Sequence, residues 1–278
     1  MKINKKCSYC DKSYDYYLEK CPHCNEPNKD EEVIRNRHIT MVAFWKQIIY
    51  FFVGWLGFQG LAFIMSLIVS LIFKNDGNTD QLLFSAIVNF VSYGILFIAL
   101  CLITWKDYTK IFISFYIKKW KPYVFAIVGV VAIFAFSYFY NFFLMLIGYQ
   151  PDVNENETGV RSIVSAYPLL SILIFGFVGP FCEEMTYRVG LFSFFRRIHI
   201  SLAYAISIVV FALIHFSFES IGTDSFINEL ANLPNYLFSG AVFAFLYHKL
   251  GLASSLTAHV TNNLISLLFT LIRSNMPQ

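Results

Sequence analysis

Three groups of polar side chains interrupt apolar runs in the C-terminal half of the chain, and four cysteines crowd its N-terminus. The first group is Glu183-Glu184-x-x-x-Arg188, at the end of an almost wholly apolar stretch, 167–182. A bare charge in lipid costs about 3 kcal/mol on insertion scales, so these three need a reason to be there. On a helix Glu184 and Arg188 are four apart and share a face, so they can neutralise each other. Glu183 is five from Arg188 and points elsewhere, which leaves one carboxylate with no local partner. His215 closes the run Phe211-Ala212-Leu213-Ile214-His215. His259 and Asn263 are four apart and project two donors from one helical face. Each residue alone could be an interhelical hydrogen bond that holds a bundle together. Four sites on three helices, all in one half of the chain, point instead to a common centre. The first three apolar runs hold little comparable beyond Gln59 and Asn89.

Such a set can hydrolyse a peptide. That reaction needs an activated water, an acid for the leaving amine and donors for the tetrahedral oxyanion. A carboxylate in apolar surroundings can take a proton from water and return it to the amine, and donors at fixed positions can stabilise the oxyanion. Two histidines and a glutamate are also a ligand set for a catalytic zinc. The chain contains no His-Glu-x-x-His, so that version rests on separate helices converging.

The cysteines read as metal chemistry. Cys7-x-x-Cys10 and Cys21-Pro22-His23-Cys24 are two pairs about ten residues apart, and together they complete a tetrahedral Zn²⁺ site with His23 as a bystander. A module this short has almost no core, so the metal would supply its folding energy. Two disulfides are the alternative, disfavoured if the module faces a reducing cytosol. Cys101 and Cys182 sit alone in apolar runs as small hydrophobes.

The elements that must position these residues are membrane helices. The 278 residues are 57% hydrophobic and 14% charged, against roughly 25% charged in a soluble domain. Several apolar runs exceed the ~18 residues of a spanning helix. The expected fold is an all-α polytopic membrane protein with about seven transmembrane helices and a small N-terminal zinc-ribbon module. Spans are expected at 45–73, 82–105, 122–148, 163–187, 200–218, 234–249 and 252–273, after a charged linker from Lys29 to His38. The segment 149–162, with Asn154-Glu155-Asn156-Glu157, reads as a solvated loop. Gly176, Gly179 and Pro180 give the fourth span a place to bend. His215 falls about fifteen residues into its span and His259 about seven, a mismatch of roughly 12 Å in depth that tilting or a later fifth span would remove.

Charge sets the orientation. The connection 106–121 carries Lys106, Lys110, Lys118, Lys119 and Lys121, and 188–199 carries Arg188, Arg196 and Arg197. By contrast 74–81 carries only Lys74, 149–162 only Arg161, and 219–233 neither lysine nor arginine. The alternation follows the positive-inside rule, with the N-terminus and zinc module cytoplasmic and the C-terminus outside. The polar N-terminus does not read as a cleavable signal. A net charge of +3 gives no argument for nucleic acid as a partner.

Together, Glu183-Glu184-x-x-x-Arg188, Phe211-x-x-x-His215 and His259-x-x-x-Asn263 resemble the three signature motifs of the CPBP intramembrane proteases, the CAAX prenyl protease and bacteriocin-processing (Abi) family. The resemblance covers about 163–270, and the cysteine spacing resembles the zinc ribbons at the N-termini of many bacterial membrane proteins. The expected division is a zinc ribbon (1–30), a linker (31–44), N-terminal transmembrane helices (45–162) and a protease core (163–273), and the family resemblance implies the last of these alone. It also implies an endopeptidase in the cell membrane that cuts membrane-associated or amphipathic peptides near the cytoplasmic face. Glu183 would be the base, His215 would orient the water, His259 and Asn263 would form the oxyanion site, and Glu184 with Arg188 would clamp Glu183 in place. The partners expected are the lipid bilayer and a membrane-associated peptide or protein, such as a bacteriocin or pheromone precursor. Glutamate chemistry without metal is preferred to a zinc-dependent version. Two other classes compete: a non-catalytic scaffold or immunity factor that keeps the polar cage for packing, and a transporter, disfavoured because no internal repeat is visible.

Overall fold

The computed structural model describes residues 4–15, 18, 20–28, 42–73, 80–117 and 120–274. Most of the linker, Lys74, Lys118 and Lys119 lie outside the described residues. At the N-terminus, β1 (Asn4–Lys6) pairs antiparallel with β2 (Ser13–Asp15). The two cysteine pairs make matching turns. Asp11 N–H donates to the Cys7 carbonyl and Asn25 N–H to that of Cys21, and both Asp11 and Asn25 take the left-handed conformation. Asp and Asn are the non-glycine residues that adopt it most readily.

Long helices follow: α1 (Phe44–Phe73), α2 (Gln81–Thr104), α3 (Lys121–Leu146), α4 (Glu155–Ala166), α5 (Pro168–Arg196), α6 (Ile200–Leu213), α7 (Phe226–Leu250) and α8 (Leu252–Ser274). Two short helical turns, Tyr108–Ile111 and Ile113–Ile117, lie between α2 and α3. Five of the helices (α1, α2, α3, α5 and α8) are long and apolar enough to cross a membrane. At 14 residues, α6 rises only about 21 Å. α7 has the length but carries Glu229, Asn232, Asn235 and Lys249.

Three expectations are corrected here. The segment after Pro151 is not a loop: Asn154 caps α4, accepting from the Glu157 N–H at 2.9 Å, and the acidic Glu155 and Glu157 fill its first turn. The fourth span therefore begins later, at Pro168, where proline favours a helix start. It also runs further, so Arg188 is a buried helical residue and not part of a basic connection. Finally α6 stops at Leu213, and His215 sits in the turn beyond its end.

α5 is irregular along its length. It is π-helical over Ile174–Val178, α-helical over Gly179–Glu184 and π-helical again over Met185–Phe192. Pro180 has no N–H to give to the carbonyl four residues back, so the helix loses a bond where the first widened turn occurs. Widened turns of this kind accompany functional sites. α5 also packs tightly on α1. A Cβ at Gly190 would come within 2.7 Å of the Phe51 backbone nitrogen, and one at Gly54 within 1.7 Å of Thr186 Oγ1. The two helices approach closely because both positions lack a side chain. Arg197 binds back to the start of α1, donating to Gln47 Oε1 at 2.8 Å and to the Val42 carbonyl at 2.7 Å.

Candidate active site

The buried ion pair comes first. Glu184 and Arg188 are both fully buried, one helical turn apart, with Arg188 Nε 3.6 Å from Glu184 Oε2. Arg188 also donates to Ser207 Oγ at 2.8 Å and to the Gly240 carbonyl at 3.4 Å, and its guanidinium lies over the Phe211 ring at 5.0 Å. A guanidinium so far from water needs this many partners, because its desolvation is not offset by one carboxylate alone.

His259, from α8, links this pair to Glu183. Its Nδ1 lies 3.0 Å from Glu184 Oε1, and its Nε2 lies 3.6 Å from Glu183 Oε2. The ring is stacked on Phe243 at 4.5 Å, which fixes its plane. With an N–H on Nδ1 held by Glu184, Nε2 is the nitrogen left for chemistry. Glu183 has a second neighbour that the sequence did not suggest: the Tyr93 hydroxyl from α2, 3.5 Å from Oε1. Glu183 Oε2 itself has no hydrogen-bond partner.

Asn263 lies one turn beyond His259 and donates one amide N–H to the Phe175 carbonyl at 3.0 Å. That carbonyl lies in the first widened stretch of α5, where the helical ladder leaves acceptors free. An asparagine amide has a second N–H to give.

His215 approaches from the other side of Phe211. Its ring is stacked on Tyr236 at 4.5 Å and meets Phe211 edge-on at 5.2 Å, while the His259 ring meets Phe211 at 5.7 Å. Both histidines therefore flank one phenylalanine despite the depth mismatch expected from the spans. His215 Nδ1 lies 3.5 Å from Asn156 Nδ2, and its carbonyl accepts from Asn154 Nδ2 at 3.1 Å. Asn154 also accepts from the Tyr236 hydroxyl at 3.3 Å, so one buried side chain joins α4, α7 and the His215 turn.

Glu183, His215, His259 and Asn263 all line one cavity of about 300 Å³, with Tyr93, Asn156 and Tyr236 also on its wall. Glu184 and Arg188 stay behind the wall. Of the residues singled out from sequence, four thus meet at the cavity and two support them. Tyr93, Asn154, Asn156 and Tyr236 had no signal of their own beyond the N-cap pattern at Asn154.

The cysteines form a separate centre. The sulfurs of Cys7, Cys10, Cys21 and Cys24 all lie within 4.8 Å of one another, and all four are free thiols. Cys7 and Cys24 are 3.5 Å apart, and Cys10 and Cys21 are 3.6 Å apart. A tetrahedral zinc with bonds of about 2.3 Å has sulfur–sulfur edges of about 3.8 Å, so the set fits that ion. The backbone N–H groups of Cys10 and Tyr9 bring the Cys7 thiol down to about 7, toward the thiolate form that ligates metal. Among the described residues this is the one group of three or more cysteine, histidine or carboxylate side chains close enough to share an ion.

No curated protein and no solved structure matches the chain. A family model described as type II CAAX prenyl endopeptidase Rce1-like matches residues 165–265, the segment that holds all six polar residues of the site and its support.

Proposed function

We propose that the protein is an intramembrane endopeptidase in which Glu183 activates water for attack on a peptide bond. The observation that carries this reading is the state of Glu183. One of its oxygens lies 3.5 Å from the Tyr93 hydroxyl and the other, buried and without a hydrogen-bond partner, lies 3.6 Å from His259 Nε2, at the wall of a cavity that two histidines and an asparagine also line. Glu183 is held between Tyr93 and His259 and borders the cavity.

The remaining residues divide the work. Glu183 takes the proton of the attacking water and returns it to the leaving amine. His215, steadied by Tyr236 and Asn156, orients that water. The second N–H of Asn263 and, with His259 protonated on both nitrogens, its Nε2–H donate to the oxyanion. Arg188 and Glu184 act through His259, whose Nδ1 is tied to Glu184 and whose position follows from that bond. The scaffold reading does not account for a carboxylate, two histidines and an asparagine meeting at one cavity. The zinc-dependent version needs Glu183, His215 and His259 to share one ion, and among the described residues only the four N-terminal cysteines lie close enough to one another to do so. The substrate is an extended peptide of membrane-associated origin, and the N-terminal cysteines hold a structural zinc.

Glu183→Gln preserves shape and hydrogen bonding but removes the base. Purified, monodisperse variant protein should lose about 10²–10⁴-fold in peptide cleavage, while accumulating in the membrane as the parent does. Near-parental turnover in Glu183→Gln would show that the proposed mechanism is wrong.

A further inference from the structure

The cavity lies to one side of the bundle. On α8 its wall runs from His259 to Thr270, and α6 reaches it only near its far end, through Phe211, followed by Ile214 and His215 in the turn beyond. Asn156, Glu157 and Arg161 of α4 line it where α4 crosses the bundle, and the Glu157–Arg161 pair there is itself more than a third exposed. None of its lining residues belongs to 97–155, 188–210 or 244–258.

The opposite end is filled. Tyr50, Leu100, Ile111, Phe192, Tyr247 and Leu252 are each 3% exposed or less and form one packed cluster below Glu183. Arg197 ties the end of α5 to the start of α1 on that same side. Asp107 adds a second tie, accepting from Lys46 and from Lys110. An approach to Glu183 from that side would have to part a core packed at interior density.

The two ends also differ in charge. The filled end carries Lys106, Lys110, Lys121, Arg196, Arg197 and Lys249. The open end carries fewer: Arg161 is paired with Glu157, Arg273 lies in the last turn of α8, the stretch 74–79 after α1 holds one lysine, and 214–233 has neither lysine nor arginine. Basic residues collect on the cytoplasmic side of membrane proteins. We infer that the cavity takes its substrate from the non-cytoplasmic face, as an extended peptide segment on that side of the membrane, and not from the cytoplasmic side expected from the sequence. The substrate clause rests on the peptidase reading; the access face does not.

The cavity's size and lining suit that segment. At about 300 Å³ it is at the low end of ligand sites, too small for a folded domain. Gln59, Asn89 and Asn262 on its wall offer amide donors and acceptors that match a peptide backbone.

The test is thiol labelling in intact cells. All six native cysteines are replaced in the full chain, and single cysteines are placed at Ser239 or Thr270 on the cavity wall, at Asn156 at the open end, and at Lys110 at the filled end. A membrane-impermeant maleimide should label Ser239→Cys, Thr270→Cys and Asn156→Cys in intact cells, and Lys110→Cys only after permeabilisation. Labelling of the cavity cysteines only together with Lys110→Cys overturns the inference. So does failure of both cavity cysteines to label from either side. Labelling needs no turnover, and the same pattern is expected in the Glu183→Gln background. Retained turnover in that background with this pattern would remove the peptidase reading alone, and a reversed pattern would remove the access face alone.

Discussion

Glu183 and Glu184 are neighbours with about 100° of helix rotation between them, and the structure gives them different surroundings. Glu184 is buried between Arg188 and His259, whereas Glu183 reaches the cavity. Removing either member of a buried pair strands the other charge, at a cost of about 3–5 kcal/mol. Glu184→Ala and Arg188→Ala should therefore lower the yield of folded protein and its thermal midpoint. Glu183→Gln should leave both close to parental, because it strands no buried charge. Thermal unfolding of the detergent-purified variants checks this, and equal destabilisation by Glu183→Gln and Glu184→Ala would count against the division of roles. Arg188 also has Ser207 and the Gly240 carbonyl, so Arg188→Lys, which loses the planar fork, should recover only part of the stability. The charged members of this set were legible in the sequence because charge in an apolar run is costly and rare. Tyr93 was not, since a tyrosine in a membrane helix has many ordinary uses and its partner is 90 residues away.

At the scale of elements, α4 decides what surrounds His215. Its first turn is held by Glu229 of α7, which is buried and accepts from the Glu155 N–H at 2.9 Å and from the Ser217 N–H at 3.1 Å. Those two bonds fix α4 and the turn after His215 to the same carboxylate. Glu229→Ala leaves two part-buried N–H groups unpaired, at roughly 1–3 kcal/mol each. Amide exchange over 154–160 and 215–218 should become faster in that variant while exchange in α8 stays as it was, and peptide cleavage should fall. Unchanged exchange over 154–160 would mean that α4 is held by other contacts. The helices that run through lipid were legible in the sequence, because an apolar run of twenty or more residues is too long for most soluble cores and matches the thickness of a bilayer. α4 was not. Four polar letters in a row, Asn154 to Glu157, suggest a loop, although an asparagine followed by acids is also a helix start. What turns the pattern into a helix is tertiary: Asn154 is buried and shares its side chain with Tyr236 and the His215 carbonyl.

Across the whole molecule, two modules are held together by different physics. The membrane helices close on one another through Gly190 and Gly54, Arg197 and the packed cluster around Tyr50 and Phe192, and none of these contacts involves the four N-terminal cysteines. Among its described residues the cysteine module buries only Cys7, Tyr14 and Cys21 as an apolar core, too little apolar surface to offset chain entropy. Its fold must then come from the ion, and the two modules should separate under chelation. Full-length protein should carry one zinc per chain by metal analysis, and Cys7→Ser with Cys24→Ser should carry none. In that double variant exchange should rise to the unprotected limit over 4–28, while the thermal midpoint of the membrane helices stays within a degree or two of parental, because so small a module adds little to their packing. If removing the zinc lowers that midpoint as far as Arg188→Ala does, the ribbon is a structural part of the bundle and not a separate unit.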